Sequence, residues 1–506
     1  MKKLFTLFTA LLVVCAASAK KTPAAGSNTF SAAVSSASPG EIIELDGTYT
    51  ETSTFTLAKS LIITAAEGKT ATIKPSDRME IPDGVTIKFI NVKFDGSALP
   101  SGDHALIYTK ATTGGNCLIF EGCELYGFGN ASAAIQCRSS YTLDYILVNN
   151  CKFYNNNKSC IFLENTNTKL LRVTNSSFYN ITSTGTFGAG IVDSRSTNGT
   201  LVVDHCTFYN CAVQSTDYGS VKASTTSASA RIVVSNNIVW MPSSTASQRA
   251  LHLQDGKEIK NCLTYNYTND SNTGIRSGCI KTNCLLNTNP SIPDAATGDF
   301  TLGSTSPCRL AGSNGSHMGD PRWWPIGSNI NVTIPAAGVM TYVAIHALDF
   351  SSISNLKAYV ATSANASGVT MTEVGEVPAG TPLVLVGTAG TYNVPVIASA
   401  SAPATNLLLA GDEYTVFNGS TYDYILFSDS KFYQIGSGTV AYDKAYLHLD
   451  SAPAGAAGMR MIFDTDNTTN IDNFGASEET LKFFQNGELF IKKNGVVYNA
   501  LGQVVR

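Results

Sequence analysis

The sequence predicts an all-β protein in which a parallel β-helix with an N-terminal capping helix precedes an antiparallel β-sandwich. Three observations lead to this prediction. A short pattern recurs about every 27 residues between residues 87 and 290. The recurring units contain short β-rich runs separated by Gly, Asn and Ser, without a helical apolar period long enough for a crossover helix. After Trp323-Trp324-Pro325 the repeat stops, and alternating strands with turn residues follow.

The chain of 506 residues has few charges for its size. Charged residues make up 14% of it and hydrophobic residues 43%, whereas an average globular protein has roughly 25% charged residues. This composition argues against a disordered chain. The formal net charge is −4 and no dense basic block occurs, so the sequence lacks the positive surface that nucleic-acid binding needs.

Residues 1–19 have the pattern of a signal peptide. Two lysines precede an apolar run, and small residues end the segment at Ala19. We therefore expect export through the periplasm and a protein that is secreted or held at the cell surface. No later stretch reaches the roughly 18 apolar residues of a spanning helix, so we do not expect the chain to span a membrane.

One position recurs once per repeat and is mostly asparagine. The repeat length fits one coil of three short strands and three turns. Successive coils stack at the interstrand distance of about 4.8 Å. An asparagine in a tight turn is therefore expected to hydrogen-bond along the stack through its side-chain amide. The column comprises Asn91, Gly122, Asn150, Asn175, His205, Asn236, Asn261 and Asn283.

A second column is apolar and is predicted to point into the coils. Nearby cysteines share its strand parity, so we expect buried, reduced thiols. The coil spacing exceeds the ~3.5–4.5 Å between Cβ atoms that a disulfide needs. No histidine lies at ligand spacing from these cysteines, so they predict no metal site. The column is Phe94, Leu125, Phe153, Phe178 and Phe208, and the cysteines are Cys123, Cys151, Cys206, Cys262 and Cys284.

The segment before the repeat is predicted to cover the open first edge of the solenoid. Residues 30–37 have the pattern of a short amphipathic helix, and Pro39-Gly40, Leu45-Asp46-Gly47-Thr48-Tyr49 and the Asn-x-x-Phe coils follow it. These features resemble the pectate-lyase-like right-handed parallel β-helix superfamily, and within it the chondroitinase B and alginate lyase group. The resemblance covers about residues 28–325. It implies a right-handed β-helix with a substrate groove along one strand column and its adjoining turns.

Separate units are predicted after the repeat. We expect the β-helix to span residues 20–326, an antiparallel β-sandwich to span 327–465, and a linker with terminal strands to span 466–506. The sandwich resembles C-terminal modules of large secreted proteins from Gram-negative bacteria, and the last strands resemble type IX secretion sorting domains. Trp323 and Trp324 are predicted to plug the last coil, in preference to forming a sugar-stacking platform.

A lyase that acts on a uronate must neutralise the carboxylate and place a base beside the acidified C–H group. One strand column offers candidates on its outward face, because strand side chains alternate. Lys222 is the predicted base, Arg195 or Arg249 the neutralising group, and His252 a further catalytic candidate. The parity of the coil with Asp193 and Arg195 is ambiguous. The other outward residues are Gln136, Arg138, Glu164 and Gln254, of which the first three are predicted substrate contacts.

Calcium enters as a candidate cofactor only through the resemblance. The chondroitinase B pattern supplies an Asn and a Glu-x-Glu pair upstream of the catalytic Lys, whereas this chain has the single acids Glu164 and Asp193. No cofactor is therefore predicted with a complete ligand set, and no metal-binding residue is assigned. Hydrolysis by paired carboxylates is disfavoured, because no two acids are adjacent between residues 91 and 325.

An aromatic column directly follows the inward column and is predicted to point outward. Its rings could stack on sugars, with Asn155, Asn180 and Asn210 offering amide groups beside them. The alternative is a structural aromatic ladder covered by the following loops. The column comprises Tyr126, Tyr154, Tyr179, Tyr209, Trp240 and Tyr265, and Tyr154, Tyr179 and Tyr209 are predicted substrate contacts.

Together these features predict a secreted or surface β-helix protein that recognises an acidic polysaccharide, with cleavage by β-elimination left open. Under this hypothesis Arg138, Arg195, Lys222 and His252 share one open, solvent-facing wall. The alternative is a non-catalytic scaffold for surface display or adhesion. A polysaccharide is the predicted partner, and the oligomeric state is not predicted.

Overall fold

The structure is a computed structural model, and it forms two compact units, Met1–Pro325 and Ile326–Arg506. It describes residues 20–100, 105–129, 133–138, 141–164, 166–183, 190–194, 199–213, 219–224, 230–245, 248–365, 367–411, 417–441, 443–452, 458–463, 480–485, 488–493 and 496–499. The predicted signal peptide lies outside these residues, and so does most of the predicted linker.

The first unit is a parallel β-helix, as predicted. Among the described residues its three sheets contain eleven, ten and eight strands, and all their pairs are parallel. The first sheet comprises Lys20–Lys21, Ile42–Leu45, Leu61–Ala65, Thr86–Ile90, Cys117–Glu121, Tyr145–Asn149, Leu170–Thr174, Thr200–Asp204, Arg231–Ser235, Glu258–Lys260 and Ile280–Thr282. The second comprises Gly26–Ser27, Gly47–Glu51, Ala71–Pro75, Val92–Asp95, Glu124–Tyr126, Lys152–Asn156, Ser177–Ser183, Thr207–Val213, Ile238–Thr245 and Leu263–Tyr267. The third comprises Phe55–Thr56, Met79–Ile81, Ala105–Thr109, Ala133–Arg138, Ser159–Glu164, Ile191–Ser194, Gly219–Ala223 and Arg249–Leu253.

Short helices accompany these sheets. The helix Thr29–Ser36 lies at the start of the solenoid, where the sequence predicts a cap, and its Phe30 ring packs edge-on against Phe55 at 5.7 Å. The buried carboxylate of Glu51 accepts hydrogen bonds from the backbone N–H groups of Phe30 and Ser31 at 3.2 and 3.3 Å, which satisfies donors at the helix N-terminus. The other helical segments are Gly96–Ala98, Asn269–Asn272, Ala295–Thr297, Ser313–Gly315 and Pro321–Trp323.

The asparagine column forms the turn between the first and second sheets. Every member has a left-handed backbone, with φ from 47° at Asn261 to 64° at Gly122. Asparagine and glycine tolerate this conformation better than other residues do, which explains the column. His205 is the exception in residue type, and it shares the conformation with φ 49°.

Side-chain amides do bond along the stack, but not in the pattern that the sequence predicts. The Asn175 amide donates to Asn149 Oδ1 at 2.9 Å, which precedes the turn of the previous coil, rather than to the turn residue itself. Direct bonds between asparagines at equivalent positions of successive coils lie in another column, Asn155, Asn180 and Asn210, which also has positive φ. There the amides donate to the preceding Oδ1 atoms at 3.5 and 3.1 Å.

The inward columns are buried as predicted. The Phe178 ring stacks on Phe153 and on Phe208 with centroids 4.7 Å apart in both pairs, which matches the coil spacing. Eleven cysteines occur among the described residues, none of them in a disulfide; Cys284 is partly exposed and the others are buried. Burial raises the pKa of the Cys160 and Cys308 thiols to about 12, so these thiols are poor nucleophiles.

Thiol titration tests this arrangement. Unfolded, unreduced protein should show at least five free thiols among the eleven cysteines, because the stacked coils hold their side chains too far apart for bonding. A reduced sample measured in parallel gives the total. Finding at most one free thiol in the unreduced sample would contradict the structure.

Residues 313–324, here called the clasp, run back across the coils over the turns between the first and second sheets. The Asn261 amide donates to Ser313 Oγ at 2.8 Å, and the backbone N–H of Gly319 donates to Asn236 O at 2.7 Å. Farther along, the Ser177 hydroxyl donates to Asp320 Oδ2 at 2.6 Å. The clasp therefore ties together coils that follow one another in the stack.

Arg322 completes the clasp in a partly buried position. Its guanidinium pairs with Asp320 and donates to the backbone carbonyls of Asn150 and Cys151 at 3.1 and 2.7 Å. Trp323 Nε1 donates to Ser177 Oγ at 2.8 Å. Both tryptophans belong to this segment on the side of the coils, so the prediction that they plug the last coil is wrong.

The Arg322→Ala substitution should destabilise the β-helix by about 3–5 kcal/mol, because it leaves the buried Asp320 carboxylate without its cation. Denaturant unfolding measures the change. Lys69→Ala is the matched control, since its ion pair with Asp46 is exposed and contributes at most about 1 kcal/mol. Equal effects of the two substitutions would show that the clasp does not stabilise the coils.

The second unit contains a mixed sheet rather than a purely antiparallel one. Apolar side chains from both ends of its strand order share one core, so the sheet folds over on itself. Its described strands, in spatial order, are Val339–Val343, Pro382–Gly387, Leu356–Asn365, Gly368–Val374, Met459–Phe463, Lys431–Gln434, Tyr422–Leu426, Ala445–Leu449 and Leu408–Ala410. The pair Gly368–Val374 and Met459–Phe463 is parallel, and the others are antiparallel.

Smaller strand groups complete this unit. Asn329–Ile334 pairs with Gly390–Pro395, and Leu348–Asp349 pairs with Glu376–Val377. Near the C-terminus, the antiparallel strands Thr480–Gln485, Glu488–Lys493 and Val496–Asn499 form a separate sheet in the described residues. The type IX sorting role of these strands stays a prediction.

His448 gives the second unit a pH-dependent contact. Its Nδ1 lies 2.7 Å from Asp423 Oδ1, and this hydrogen bond raises the pKa of His448 above 6.5. A raised pKa stabilises the fold fully below the pKa of the unfolded chain, and the contribution is lost as pH rises through the folded pKa. We expect residues 327–465, expressed alone, to unfold cooperatively. Because of the His448 contact, their free energy of unfolding should be larger at about pH 6 than at about pH 9.

The His448→Gln variant provides the control for this prediction. It should lose the difference between the two pH values in thermal unfolding followed by circular dichroism. A pH difference of the same size in both proteins would contradict the role of the His448 contact.

Candidate functional site

The outward face of the third sheet carries most of the predicted site residues. Strand register places Tyr108, Gln136, Phe162, Val192, Lys222 and His252 in one column, each beside the next. Arg138 and Glu164 are paired in the adjacent outward column. The inward column that precedes the Gln136 column holds Ile107, Ile135, Ile161, Ile191, Val221 and Leu251, as the alternation of the strands requires.

The structure shows which way the side chains point in the coil that contains Asp193, whose strand parity the sequence leaves ambiguous. Asp193 pairs with Leu163 and Ala223, which are inward positions, and it is buried. It therefore does not join the outward face. Arg195, the predicted neutralising group, lies outside the described residues, so its role stays a prediction without structural detail.

The middle of the outward column is not open. Gln136 is 0%, Phe162 5% and Val192 1% exposed, and the last two pack together in an apolar cluster. The prediction of an open wall is therefore wrong at these coils, and Gln136 is not available for substrate contact. It is also wrong at His252, which is only 7% exposed. Arg138 and Glu164 are partly exposed, and they pair with each other through Nε and Oε2 at 2.8 Å. The Arg138 guanidinium also lies 5.4 Å from the Phe162 ring centroid.

A basic group occupies the end of the column nearest the last coils. Lys222 and His252 are neighbours in register, and an isolated bridge between Leu251 and Ile275 extends the third sheet by one coil. This extension places Arg276 beside His252, with Nη1 at 3.3 Å from His252 Nε2. Lys222, His252 and Arg276 are here called the basic strip.

Arg276 could not be predicted from the coil period because its coil is short. Ile275 follows the anchor Leu251 by 24 residues, whereas the preceding anchors are 26 to 30 apart. The motif Gly274-Ile275-Arg276 repeats the small-apolar-polar order of Ala250-Leu251-His252, and this likeness could have identified it. Arg249, the other predicted neutralising group, is half-buried and bound to Asp270 at 2.8 Å, so it is already neutralised.

The contact between His252 and Arg276 restricts what His252 can do. A guanidinium has only donors, so His252 Nε2 accepts the hydrogen bond and its ring is neutral with the proton on Nδ1. The lone pair that a general base would use is therefore engaged. Arg276 also pairs with the exposed Asp255 at 3.2 Å, and about a third of its own side chain is exposed. His252 is therefore better placed to position Arg276 than to act as a general base.

The aromatic column on the second sheet forms a ladder. The Tyr154 ring stacks on Tyr126 at 5.0 Å and on Tyr179 at 5.1 Å, with interplanar angles of 13° and 9°. In such a stack the faces of the rings contact each other, and only the ring edges point outward. Burial and then the nearby Glu124 raise the pKa of Tyr154, whose hydroxyl donates to that carboxylate at 3.0 Å. A sugar therefore cannot stack on the faces of Tyr154.

The later half of the ladder is covered. Phe300 contacts Tyr179, Tyr209 and Trp240 with ring centroids 5.2 to 5.8 Å apart. Tyr209 is only 7% exposed, so the substrate contact predicted for it does not fit its surroundings. The structural-ladder alternative describes these residues better than a sugar platform does.

Asp204, His205 and Ser316 form a hydrogen-bonded chain that resembles a nucleophile relay. His205 Nδ1 lies 2.6 Å from Asp204 Oδ2, and Nε2 lies 3.0 Å from Ser316 Oγ. All three residues are buried beneath or within the clasp. A substrate has no path to the Ser316 hydroxyl in this arrangement, so the chain serves to anchor the clasp.

No group of three or more His, Cys, Asp or Glu side chains that could hold a metal ion occurs among the described residues. The described part of the chain therefore offers no set of ligands for calcium. Among the described residues, no helix is long and apolar enough to cross a membrane.

Comparison with known proteins gives a family match over part of the chain. Residues 201–323 match a family described as a domain of unknown function, DUF5123. The match ends inside the clasp. No curated protein matches the chain.

Solved structures with a similar fold include polysaccharide lyases. The PL6 family alginate lyase AlyGC is 15% identical with a TM-score of 0.35, over 53% of this chain and 39% of its own. The pectate lyase Pel9A is 13% identical with a TM-score of 0.33, over 59% of this chain and 92% of its own. This chain thus spans about two fifths of the alginate lyase. At these values the likeness concerns the fold alone.

Proposed function

We propose that this protein binds an acidic polysaccharide at the basic strip on the third sheet, outside the cytoplasm. The observation that carries the proposal is the placement of Lys222, His252 and Arg276 on successive coils of one face. Coils stack at about 4.8 Å, so the cations Lys222 and Arg276, on either side of the neutral His252, lie within about 10 Å of each other on a chain with few charges. A polymer with repeated carboxylates complements such a row.

Cleavage by β-elimination is the finer part of the proposal. Arg276 would neutralise the uronate carboxylate, held in place by His252 and Asp255. A neutral Lys222 amine would take the proton from C5; the C4–C5 double bond then forms as the C4–oxygen bond to the leaving sugar breaks, and the leaving oxygen takes up a proton from water to become a hydroxyl. Arg276 replaces Arg249 in this role, because the side chain of Asp270, which binds Arg249, is only 6% exposed, whereas that of Asp255, which pairs with Arg276, is 65% exposed to solvent.

One observation favours the alternative of a non-catalytic surface scaffold. Gln136, Phe162 and Val192 lie in the same outward column as Lys222 and are buried, so a long groove along the whole face is absent at those coils. A scaffold needs no groove. Under this alternative the basic strip would only help to solubilise the end of the solenoid.

Binding to polyuronates decides between the two functions. We expect polygalacturonate or alginate to bind more weakly as salt increases, with no binding to neutral dextran. Lys222→Ala and Arg276→Ala should each weaken binding at least about tenfold, because hydrogen bonds to charged groups contribute ~1.5–3 kcal/mol. Lys110→Ala is the matched control, since Lys110 is an exposed cation towards the opposite end of the third sheet that pairs with Glu80.

Unsaturated uronate, followed by ultraviolet absorbance with and without calcium, reports cleavage in the same samples. Product that disappears in Lys222→Ala would support the lyase, and binding without product would limit the function to recognition. Equal behaviour of Lys110→Ala and Lys222→Ala, or no polyuronate binding at all, would favour the scaffold.

A further inference from the structure

The loop that leads into the clasp contains a strained residue. Leu310 has φ 55°, a left-handed conformation that leucine rarely adopts, and its side chain is 46% exposed. Its backbone N–H donates to Nδ1 of His317 at 2.9 Å. This hydrogen bond closes the loop 310–317 and holds Leu310 in its unfavourable conformation.

His317 can make this bond in only one protonation state. A backbone N–H always donates, so Nδ1 must carry a lone pair, and the ring is neutral with its proton on Nε2. The ring is 1% exposed and lies edge-on to Trp324 at 5.2 Å. Protonation would turn the acceptor into a second donor facing the Leu310 N–H, and it would place a charge in a buried site.

His205, beneath the same loop, behaves differently on protonation. Asp204 bonds Nδ1 of His205 and supplies a countercharge. Its Nε2 contacts the Ser316 hydroxyl, which can either donate or accept. Both contacts therefore survive in the neutral and in the charged ring, so the His205 anchor tolerates acid.

We propose that residues 310–317 form a proton-operated latch, which opens on acidification through His317 and releases the strained Leu310 while the His205 anchor holds. Around the latch, the clasp carries the ion pair of Asp320 and Arg322, and the coils carry Asp204 and His205. The thiols of Cys206 and Cys308 are buried nearby, and burial raises the pKa of both. Of these groups, only His317 must lose a hydrogen bond when it gains a proton, namely the bond that its Nδ1 accepts from the Leu310 N–H.

Hydrogen–deuterium exchange of the full chain tests the latch. After correction for the intrinsic pH dependence, exchange of peptides covering 308–319 should accelerate at least about fivefold between about pH 7 and pH 5. Peptides from the stacked Phe153–Phe178 coils should not change. His317→Asn keeps an acceptor oxygen near the position of Nδ1 but cannot take the proton, so it should abolish the acceleration.

Leu310→Gly gives a second test that retains His317. Glycine adopts positive φ without strain, so the closed loop should become more stable and the acceleration should move to lower pH. The latch is overturned if wild type shows no local acceleration, or if His317→Asn accelerates as wild type does. If His317→Asn does not fold, an unchanged pH profile in Leu310→Gly overturns it as well.

Discussion

Parallel stacking of coils in a constant register is the constraint on which the β-helix depends. Each strand residue pairs with the residue about one coil earlier and with the one a coil later. From Asn91 onward each coil turns from the first to the second sheet at a left-handed residue of the asparagine column. These short turns start the next strand at the same point in successive coils, which keeps the register constant. The asparagine column is the visible result of this requirement.

The same register turns separate side chains into continuous structures. Phenylalanines one coil apart stack inside the solenoid, and tyrosines directly after them stack outside it. Stacking joins coils to each other, but it also uses the ring faces that a sugar would need. A regular aromatic column on a solenoid is for this reason weaker evidence for sugar binding than a single unstacked ring.

After the coils end, the clasp runs back along the side of the β-helix. Bonds between the clasp and the coils join residues far apart in sequence, 143 residues for Ser177 and Asp320 and 172 for Asn150 and Arg322. Ser177 and Asp320 are buried, so the bond between them must be complete to be stable. The family match ends within this segment, and the buried His317 lies there as well. The clasp is therefore the part of the unit where local chemistry differs most from the repeat.

The sequence by itself determined the coil period, the left-handed turn column, the inward phenylalanines and cysteines, and the outward direction of Lys222 and His252. These features depend on neighbours one coil away, and such neighbours leave a periodic pattern in the sequence. Only the tertiary structure decided that Gln136 and Tyr209 are covered, that Arg276 joins the basic strip and that the two tryptophans lie along the coils. The position of Arg276 depends on a short coil, Tyr209 is covered by Phe300 from the segment after the coils, and the tryptophans lie in a returning segment whose contacts span more than a hundred residues. Contacts of that kind have no period from which they could be predicted.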